Sequence, residues 1–246
     1  MNDKSETDGR IEQVSPRDDC GESGSHSLLE EASLVARRVL ESIQAIAGTT
    51  AAKGVQIANL ERFAREKGCW IEDINELGTF SDRGSENEVY LSNIDNTVVY
   101  KLNDFRYSDD NLTSFFERME AHNFYFPDCA YELIGFTKNQ SGKICAVLSQ
   151  SLVVAIREAT QEEIDATLIH LGFRSELNGE YYSNGKHDIF DALPNNVLIG
   201  NNGRTFFIDT IIYRTQDNGL ESYRNLSPRY AERKKRASDD EKPSTT

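Results

Sequence analysis

Three oxygen-bearing side chains in the C-terminal part of the chain could act together on a phosphate group. Asp191 and Asn196 stand five residues apart in a turn-rich segment around Pro194, and Asp209 directly follows an apolar run at residues 206–208. A carboxylate can accept or orient the proton of a substrate hydroxyl, whereas an amide oxygen and a second carboxylate are hard ligands that suit Mg²⁺. This spacing fits phosphoryl transfer to a hydroxyl group.

A lysine further upstream could supply the positive charge that such chemistry needs. Lys101 lies in the run Val-Val-Tyr-Lys-Leu and shares a face with Val99, because side chains two residues apart in a strand point the same way. Residues 84–89, Gly-Ser-Glu-Asn-Glu-Val, precede this strand. Such a turn is typical of a backbone loop that lies over phosphates, although it carries a single glycine.

Each of these features has a simpler explanation when it is taken alone. Asp191 and Asn196 could form a turn around Pro194, since Asp and Asn favour turns. Lys101 could keep an edge strand soluble, and Asp209 could cap the end of a strand. The four residues together favour the phosphate site.

These motifs resemble the kinase-like domain of bacterial polyvalent proteins, a serine/threonine/tyrosine kinase-like family associated with mobile genetic elements. The resemblance covers roughly residues 55 to 215 and includes His122-Asn123 and Phe126-Pro127. It implies an ATP- and Mg²⁺-dependent phosphotransferase whose acceptor is a hydroxyl of a protein or a small molecule. By this resemblance Asp191 is the catalytic carboxylate and Lys101 holds the α- and β-phosphates. The resemblance also implies that Asn196 and Asp209 bind Mg²⁺.

The same resemblance implies a nucleotide pocket. Gly84 and Ser85 would lie over the phosphates. The segment from Gln150 to Leu152 would form the interlobe hinge that meets adenine. Val89 and Leu198 would enclose the adenine between apolar side chains. Glu117 or Glu120, one turn apart on a predicted helix, would pair with Lys101, and Glu120 is preferred.

Several residues depart from the family's pattern. Ile189-Phe190 stands before Asp191 in place of His-Arg, and Thr210-Ile211 follows Asp209 in place of Phe-Gly. The short stretch after Asp209 implies a reduced C-terminal lobe. Two alternatives stay open: a pseudokinase-like module that binds nucleotide or a partner without catalysis, and a small-molecule kinase resembling aminoglycoside phosphotransferases.

An antiparallel sheet with one inserted helix has to position these residues. Alternating segments predict strands at residues 88–92, 97–103, 131–136 and 144–149, with further short strands at 197–199 and 206–208. The helical spacing of Leu112, Phe115, Phe116 and Met119 predicts a helix between them, with N-cap residues Asp109-Asp110. His122 near its end is interpreted as a partner of the helix dipole.

Two capping boxes, Ser27 with Glu30 and Thr160 with Glu163, predict the starts of further helices. The predicted fold class is α+β: a small two-lobed protein-kinase-like fold with an antiparallel N-lobe sheet, a reduced C-lobe and an N-terminal helical pair. Composition divides the chain into a disordered lead-in at 1–26, a helical N-terminal extension at 27–76, a kinase-like domain at 77–228 and a flexible charged tail at 229–246.

The charge of the chain bears on its partners. It has 41 acidic and 27 basic residues and a formal net charge of -14, which opposes non-specific attraction to nucleic acid or anionic lipid. The N-terminus lacks the apolar core of a secretion signal, and no apolar run reaches the roughly 20 residues of a membrane span. The sequence predicts a cytoplasmic protein without a membrane or nucleic-acid partner, and it leaves the oligomeric state open.

Overall fold

The computed structural model describes residues 27–44, 52–108 and 111–226. The predicted lead-in at 1–26, the predicted tail at 229–246 and the predicted N-cap residues Asp109-Asp110 lie outside the described residues. None of the helices in the described ranges has the length and apolar character needed to cross a membrane.

The described residues form an α+β fold, as predicted. The helices are α1 Leu28–Gln44, α2 Ala52–Lys67, α3 Thr113–Tyr125, α4 Gln161–His170 and α5 Gly219–Leu226. The strands are β1 Gly78–Arg83, β2 Asn87–Ser92, β3 Val98–Asn103, β4 Glu132–Lys138, β5 Ile144–Ser151, β6 Ala155–Glu158, β7 Arg174–Glu176, β8 Tyr181–Ser183, β9 His187–Phe190, β10 Val197–Gly200, β11 Thr205–Phe207 and β12 Ile211–Arg214. Short 3-10 turns lie at Ile74–Glu76, Pro127–Cys129, Leu177–Gly179 and Pro194–Asn196.

The N-terminal lobe is built on an antiparallel sheet with the order β1-β2-β3-β5-β4. Its register places Lys101 on β3 between Val89 on β2 and Leu148 on β5, so these side chains share one face. The opposite face carries Tyr90 and Leu102, which are buried in a small apolar cluster. Successive side chains of these strands therefore alternate between this cluster and the face that carries Lys101.

The helical pair shares a core with this sheet. Leu29, Ala32 and Ala36 of α1 are buried together with Phe115 and Phe116 of α3, because the apolar residues of both helices recur at helical spacing. The predicted capping box opens α1: the Ser27 backbone N–H donates to Glu30 Oε2 (2.8 Å), and the Glu30 N–H donates to Ser27 Oγ (3.3 Å).

A buried amide connects three helices. Gln56 on α2 donates from Nε2 to the Ala36 carbonyl of α1 (2.9 Å) and accepts on Oε1 from the Leu112 N–H at the start of α3 (2.8 Å). Asn111 adds a second contact at this helix start, because its Oδ1 accepts from the Thr113 N–H (2.9 Å). These contacts fix where α3 begins.

The C-terminal lobe contains α4 and two small sheets, with the orders β11-β10-β6 and β12-β9-β8-β7. The predicted capping box between Thr160 and Glu163 opens α4. Its core joins the other lobe through Phe126, after α3, which stacks on Phe207 of β11 with ring centroids 4.1 Å apart. The strand that leads to Asp209 is thus packed against the end of α3.

Candidate active site

Lys101 is the buried cation of the site. Its Nζ donates to the Ile208 carbonyl (2.6 Å) and to Tyr131 Oη (3.2 Å), and it lies 3.5 Å from Asp209 Oδ1. Burial lowers the pKa of Lys101, but the neighbouring Tyr131 and Asp209 outweigh this effect and leave the pKa raised. Lys101 therefore stays charged, and two residues distant in sequence, Lys101 and Asp209, meet as predicted.

The two peptide carbonyls before Asp209 are held by four side chains. The Ile208 carbonyl accepts from Lys101 and from the Tyr131 hydroxyl (2.9 Å). The Phe207 carbonyl accepts from the Cys129 thiol (3.2 Å) and lies 2.9 Å from His122 Nε2. The backbone that carries Asp209 is consequently tied to β3, α3 and the segment between α3 and β4.

His122 is a neutral member of this group. It is 1% exposed, and burial lowers its pKa from 6.5 to about 4. A neutral imidazole next to a carbonyl oxygen carries its proton on Nε2, so His122 donates to Phe207. The interpretation of His122 as a charged partner of the helix dipole is wrong, because a buried imidazole does not hold the charge that this role requires.

The segment after β9 brings Asp191 to the same place. β9 and β12 pair with Phe190 opposite Ile211, which sets Asp191 beside the residues that precede β12. Asp191 adopts a positive φ of 61°, and its carbonyl accepts from Asn196 Nδ2 (2.8 Å). This bond closes the five-residue turn between the two predicted site residues.

Asn196 also connects this turn to Asp209. It is 8% exposed, and its backbone carbonyl accepts from the Ile208 N–H (3.0 Å). Asn196 Oδ1 accepts from Asn195 Nδ2 (2.9 Å), and a carbonyl oxygen has a second lone pair for a cation. In the described residues no three His, Cys, Asp or Glu side chains form a metal-binding cluster, so a cation here would depend on Asp209 and Asn196 together with phosphate oxygens.

A cleft opens between the lobes at these residues. Its lining combines Asp191 and Asp209 with the turn after β1 and one cation of α3; the residues concerned are Ser85, Glu86, Asn87, Arg118, Asp191 and Asp209. Tyr131, a partner of Lys101, lines it as well. The cleft therefore collects the carboxylates of the predicted site around one space.

The turn between β1 and β2 is closed by its own backbone. The Gly84 N–H donates to the Asn87 carbonyl (2.8 Å), and Asn103 Nδ2 on β3 donates to Asn87 Oδ1 (3.0 Å). Ser85 lines the cleft, whereas Gly84 lines a neighbouring cavity on the outer side of the turn. The structure thus places Ser85, but not Gly84, at the cleft that Asp191 and Asp209 share.

The predicted ion pair of Lys101 with Glu120 is corrected by the structure. Glu120 Oε2 lies 3.3 Å from Arg37 NH2 of α1, and Glu117 Oε1 lies 4.0 Å from the same guanidinium. Both glutamates lie on the side of α3 that meets α1, because α1 packs on this helix. Two α3 residues line the cleft instead, Arg118 and Met119. Arg118 is 6% exposed and pairs with Glu86 (2.7 Å).

The residues predicted to meet adenine lie on β2, β5 and β10 or directly after β5. Gln150 is buried, and its Nε2 donates to the Cys129 carbonyl (2.7 Å). The Leu152 N–H donates to the Thr97 carbonyl (2.7 Å), and its side chain is 40% exposed. Val89 and Leu198 are half-buried on β2 and β10. Their contact with a nucleotide stays a prediction.

Sequence reasoning missed Arg118, Glu86 and Tyr131. A signal for Arg118 was present, since it follows Phe115 by three residues and precedes His122 by four on a helix. An arginine on a predicted helix is normally assigned to the solvent-exposed face, so Arg118 was not predicted as a site residue.

A family model described as Serine/Threonine/Tyrosine Kinase found in polyvalent proteins matches residues 53–216. This range covers more than half of the chain, from α2 to the end of β12, and it includes each predicted site residue. A comparison with curated proteins found no match.

Proposed function

The chain belongs to the family of serine/threonine/tyrosine kinases found in polyvalent proteins, and from this premise we propose that it transfers the γ-phosphoryl group of ATP, with Mg²⁺, to a hydroxyl group. The acceptor is a protein or a small molecule. The observation that carries the proposal is the 3.5 Å contact between Lys101 and Asp209, beside a cleft that Asp191 also lines.

Lys101 is the proposed phosphate-binding cation. Its ammonium group is fixed by Ile208 and Tyr131 and is buried, so its charge acts in a medium where water screens it little. Bound Mg²⁺ would neutralise charge on the phosphate oxygens, and Asn196 and Asp209 would hold it. Positioning and charge neutralisation are the main sources of catalysis in phosphoryl transfer.

Asp191 is the proposed acceptor of the hydroxyl proton. Its backbone is held by Asn196, and its side chain lines the cleft with Asp209. A carboxylate at this place can orient the acceptor hydroxyl and take its proton. Around it we assign Ser85 to the phosphates, and Val89, Gln150, Leu152 and Leu198 to adenine.

A pseudokinase-like module that binds a nucleotide or a partner without catalysis is the second candidate. Glu86 favours the partner-binding form, because this residue adds a third carboxylate to the cleft that Asp191 and Asp209 line. A negative charge there opposes triphosphate binding but not the binding of a partner protein. The departures from the family's pattern on either side of Asp191 and Asp209 favour it too.

Nucleotide binding and phosphoryl transfer test the proposal directly. We expect wild-type protein to bind ATP with Mg²⁺ in calorimetry and to turn it over. Lys101→Met should weaken binding at least about tenfold, and Asp191→Asn should keep binding but lower turnover about 10²-fold or more, the usual contribution of a proton-transfer group. Lys138→Met is the control, since Lys138 lies on β4 of the same sheet, is about half exposed and pairs with Glu61 outside the cleft.

The outcomes separate the candidates. Binding without turnover, unchanged in Asp191→Asn, would support the module without catalysis. The absence of ATP binding by a folded wild-type protein, with no difference in Lys101→Met, would refute phosphoryl transfer from ATP and would leave only a partner-binding module. Turnover with small-molecule hydroxyl acceptors but not with proteins would identify the acceptor class as small molecules.

A further inference from the structure

Arg118 is a buried cation that the proposed chemistry does not yet use. It lies on α3 and is 6% exposed, and its guanidinium carbon lies 4.8 Å from the centroid of the Tyr213 ring. One terminal nitrogen donates to Glu86 Oε2 at 2.7 Å. Its Nε is buried and has no hydrogen-bond partner among the described residues. A guanidinium offers five N–H donors, so Arg118 retains unused donor capacity in a buried place.

The partner of Arg118 comes from the turn over the cleft. Glu86 belongs to the turn between β1 and β2, and its side chain is 15% exposed. Glu86, Arg118, Asp191 and Asp209 line the same cleft. The Glu86 carboxylate therefore pairs with a cation that lines the same cleft to which the proposed function assigns a triphosphate.

Phosphate suits this position better than the carboxylate does. A guanidinium binds phosphate oxygens through two parallel N–H donors, and these bonds are stronger when the acceptor carries more charge. The triphosphate brings several negative charges, whereas Glu86 brings one. A nucleotide in the cleft would compete with Glu86 for Arg118.

We propose that Arg118 is a second phosphate-binding residue beside Lys101, and that Glu86 occupies it until a nucleoside triphosphate displaces the carboxylate. This inference rests on the proposed function, because it assigns a further residue to the same site. Glu86 then acts as an internal competitor: it keeps the buried guanidinium paired in the empty cleft and lowers the apparent affinity for nucleotide by the fraction of molecules in which it is engaged.

Competition and simple structural support make opposite predictions for Glu86. If Glu86 competes with phosphate, Glu86→Gln tightens Mg²⁺-ATP binding several-fold, since the amide carries no charge but keeps an oxygen for Arg118. If the pair only clamps the turn to α3, Glu86→Gln weakens binding. Arg118→Gln should weaken ATP binding at least about tenfold. The double variant should equal Arg118→Gln, because without Arg118 there is no guanidinium for which Glu86 and phosphate compete.

The experiment measures the affinities of full-length variants for Mg²⁺-ATP and for adenosine, which has no phosphate. Adenosine binding should not change in any variant. Arg37→Gln is the matched control, since Arg37 also contacts α3 but pairs with Glu120 away from the cleft. Thermal melting checks that each variant is folded; if Arg118→Gln does not fold, the sign of the change in Glu86→Gln decides.

Two results overturn the inference while leaving the proposed function intact. One is an unchanged ATP affinity in folded Arg118→Gln, and the other is weaker ATP binding in Glu86→Gln. Failure of the wild-type protein to bind both ATP and adenosine is a different result, because it removes the proposed function itself.

Discussion

His122 illustrates how burial changes the chemistry of one side chain. Its imidazole is enclosed by Tyr131 and Phe126, with ring centroids at 4.6 and 5.3 Å, and it donates to the Phe207 carbonyl. The sequence placed it correctly near the end of a helix. It could not show the enclosure, because the enclosing residues come from the segment after the helix and from β11.

The stability of the protein should therefore fall at mildly acidic pH through His122. Its folded pKa of about 4 lies below the unfolded value of 6.5, so its contribution is present above pH 6.5 and is lost progressively as the pH falls from 6.5 to 4. Linkage gives a loss of about 2 kcal/mol between pH 7 and pH 5. Urea unfolding at both pH values, compared with His122→Gln, measures this contribution.

The glutamine variant removes the titrating group but keeps a donor for Phe207. Its stability should change less than that of the wild-type protein between pH 7 and pH 5, by about the amount stated above. Equal pH dependence in the two proteins would contradict this prediction, because it would mean that the pKa of His122 is the same in the folded and unfolded states.

At the scale of elements, four of the five strands of the N-terminal lobe were predicted, whereas β1 and the direction of α3 were not. Residues 79–83 of β1 are all exposed, so no apolar alternation marks this strand. Alternation placed β2, β3, β4 and β5 to within two residues at every end, because successive side chains of a strand point to opposite faces of the sheet. Strands β7, β8, β9 and β12 have three or four residues each, too few for a period to appear.

The face of α3 that meets the site depends on tertiary packing. Phe115, Phe116 and Met119 define a broad buried face. Their pattern is compatible with Glu120 on the side of α3 toward the cleft and with Glu120 on the side toward α1. Contact with α1 decided between them, and α1 lies far away in the sequence. Lys101, Asp191, Asn196 and Asp209 could be proposed from the sequence alone, because their types and spacing reflect chemistry rather than packing, and their roles stay a prediction.

The position of α3 should depend on Gln56. Replacement by leucine leaves the Ala36 carbonyl and the Leu112 N–H without their partner in a buried place, so we expect Gln56→Leu to lower the free energy of unfolding by about 2–4 kcal/mol. Asn59→Ala on the same helix, which removes an exposed bond to Val55, should cost no more than about 0.5 kcal/mol. Urea titration compares them, and similar losses would show that the buried amide has no special role.

At the scale of the whole molecule, the folded unit extends beyond the family match. The match begins at residue 53, yet α1 lies before it and contributes Leu29, Ala32 and Ala36 to the core of the N-terminal lobe. The domain boundary predicted at residue 77 stays a prediction, but the packing makes α1 and α2 part of the support of α3. Composition alone does not reveal this, because a helix with one apolar face does not identify its partner.

A charge inside α1 should therefore damage the whole lobe. Ala36 is fully buried, so Ala36→Asp places a carboxylate in the core and should cost about 3 kcal/mol or more. Leu34→Asp, at a position that is 38% exposed on the same helix, should cost about 1 kcal/mol or less. Thermal melting compares the two variants, and equal melting temperatures would indicate that α1 is dispensable for the fold.

The four side chains that hold the Phe207 and Ile208 carbonyls restrict how this protein can be regulated. Turning the Asp209 peptide away from Lys101 would break bonds to His122, Cys129, Tyr131 and Lys101, each worth roughly 1 kcal/mol. An inactive state with this segment rotated outward would therefore be sparsely populated. We expect on–off control to act on the opposite wall of the cleft, where the turn after β1 carries Glu86, the carboxylate that Arg118 binds.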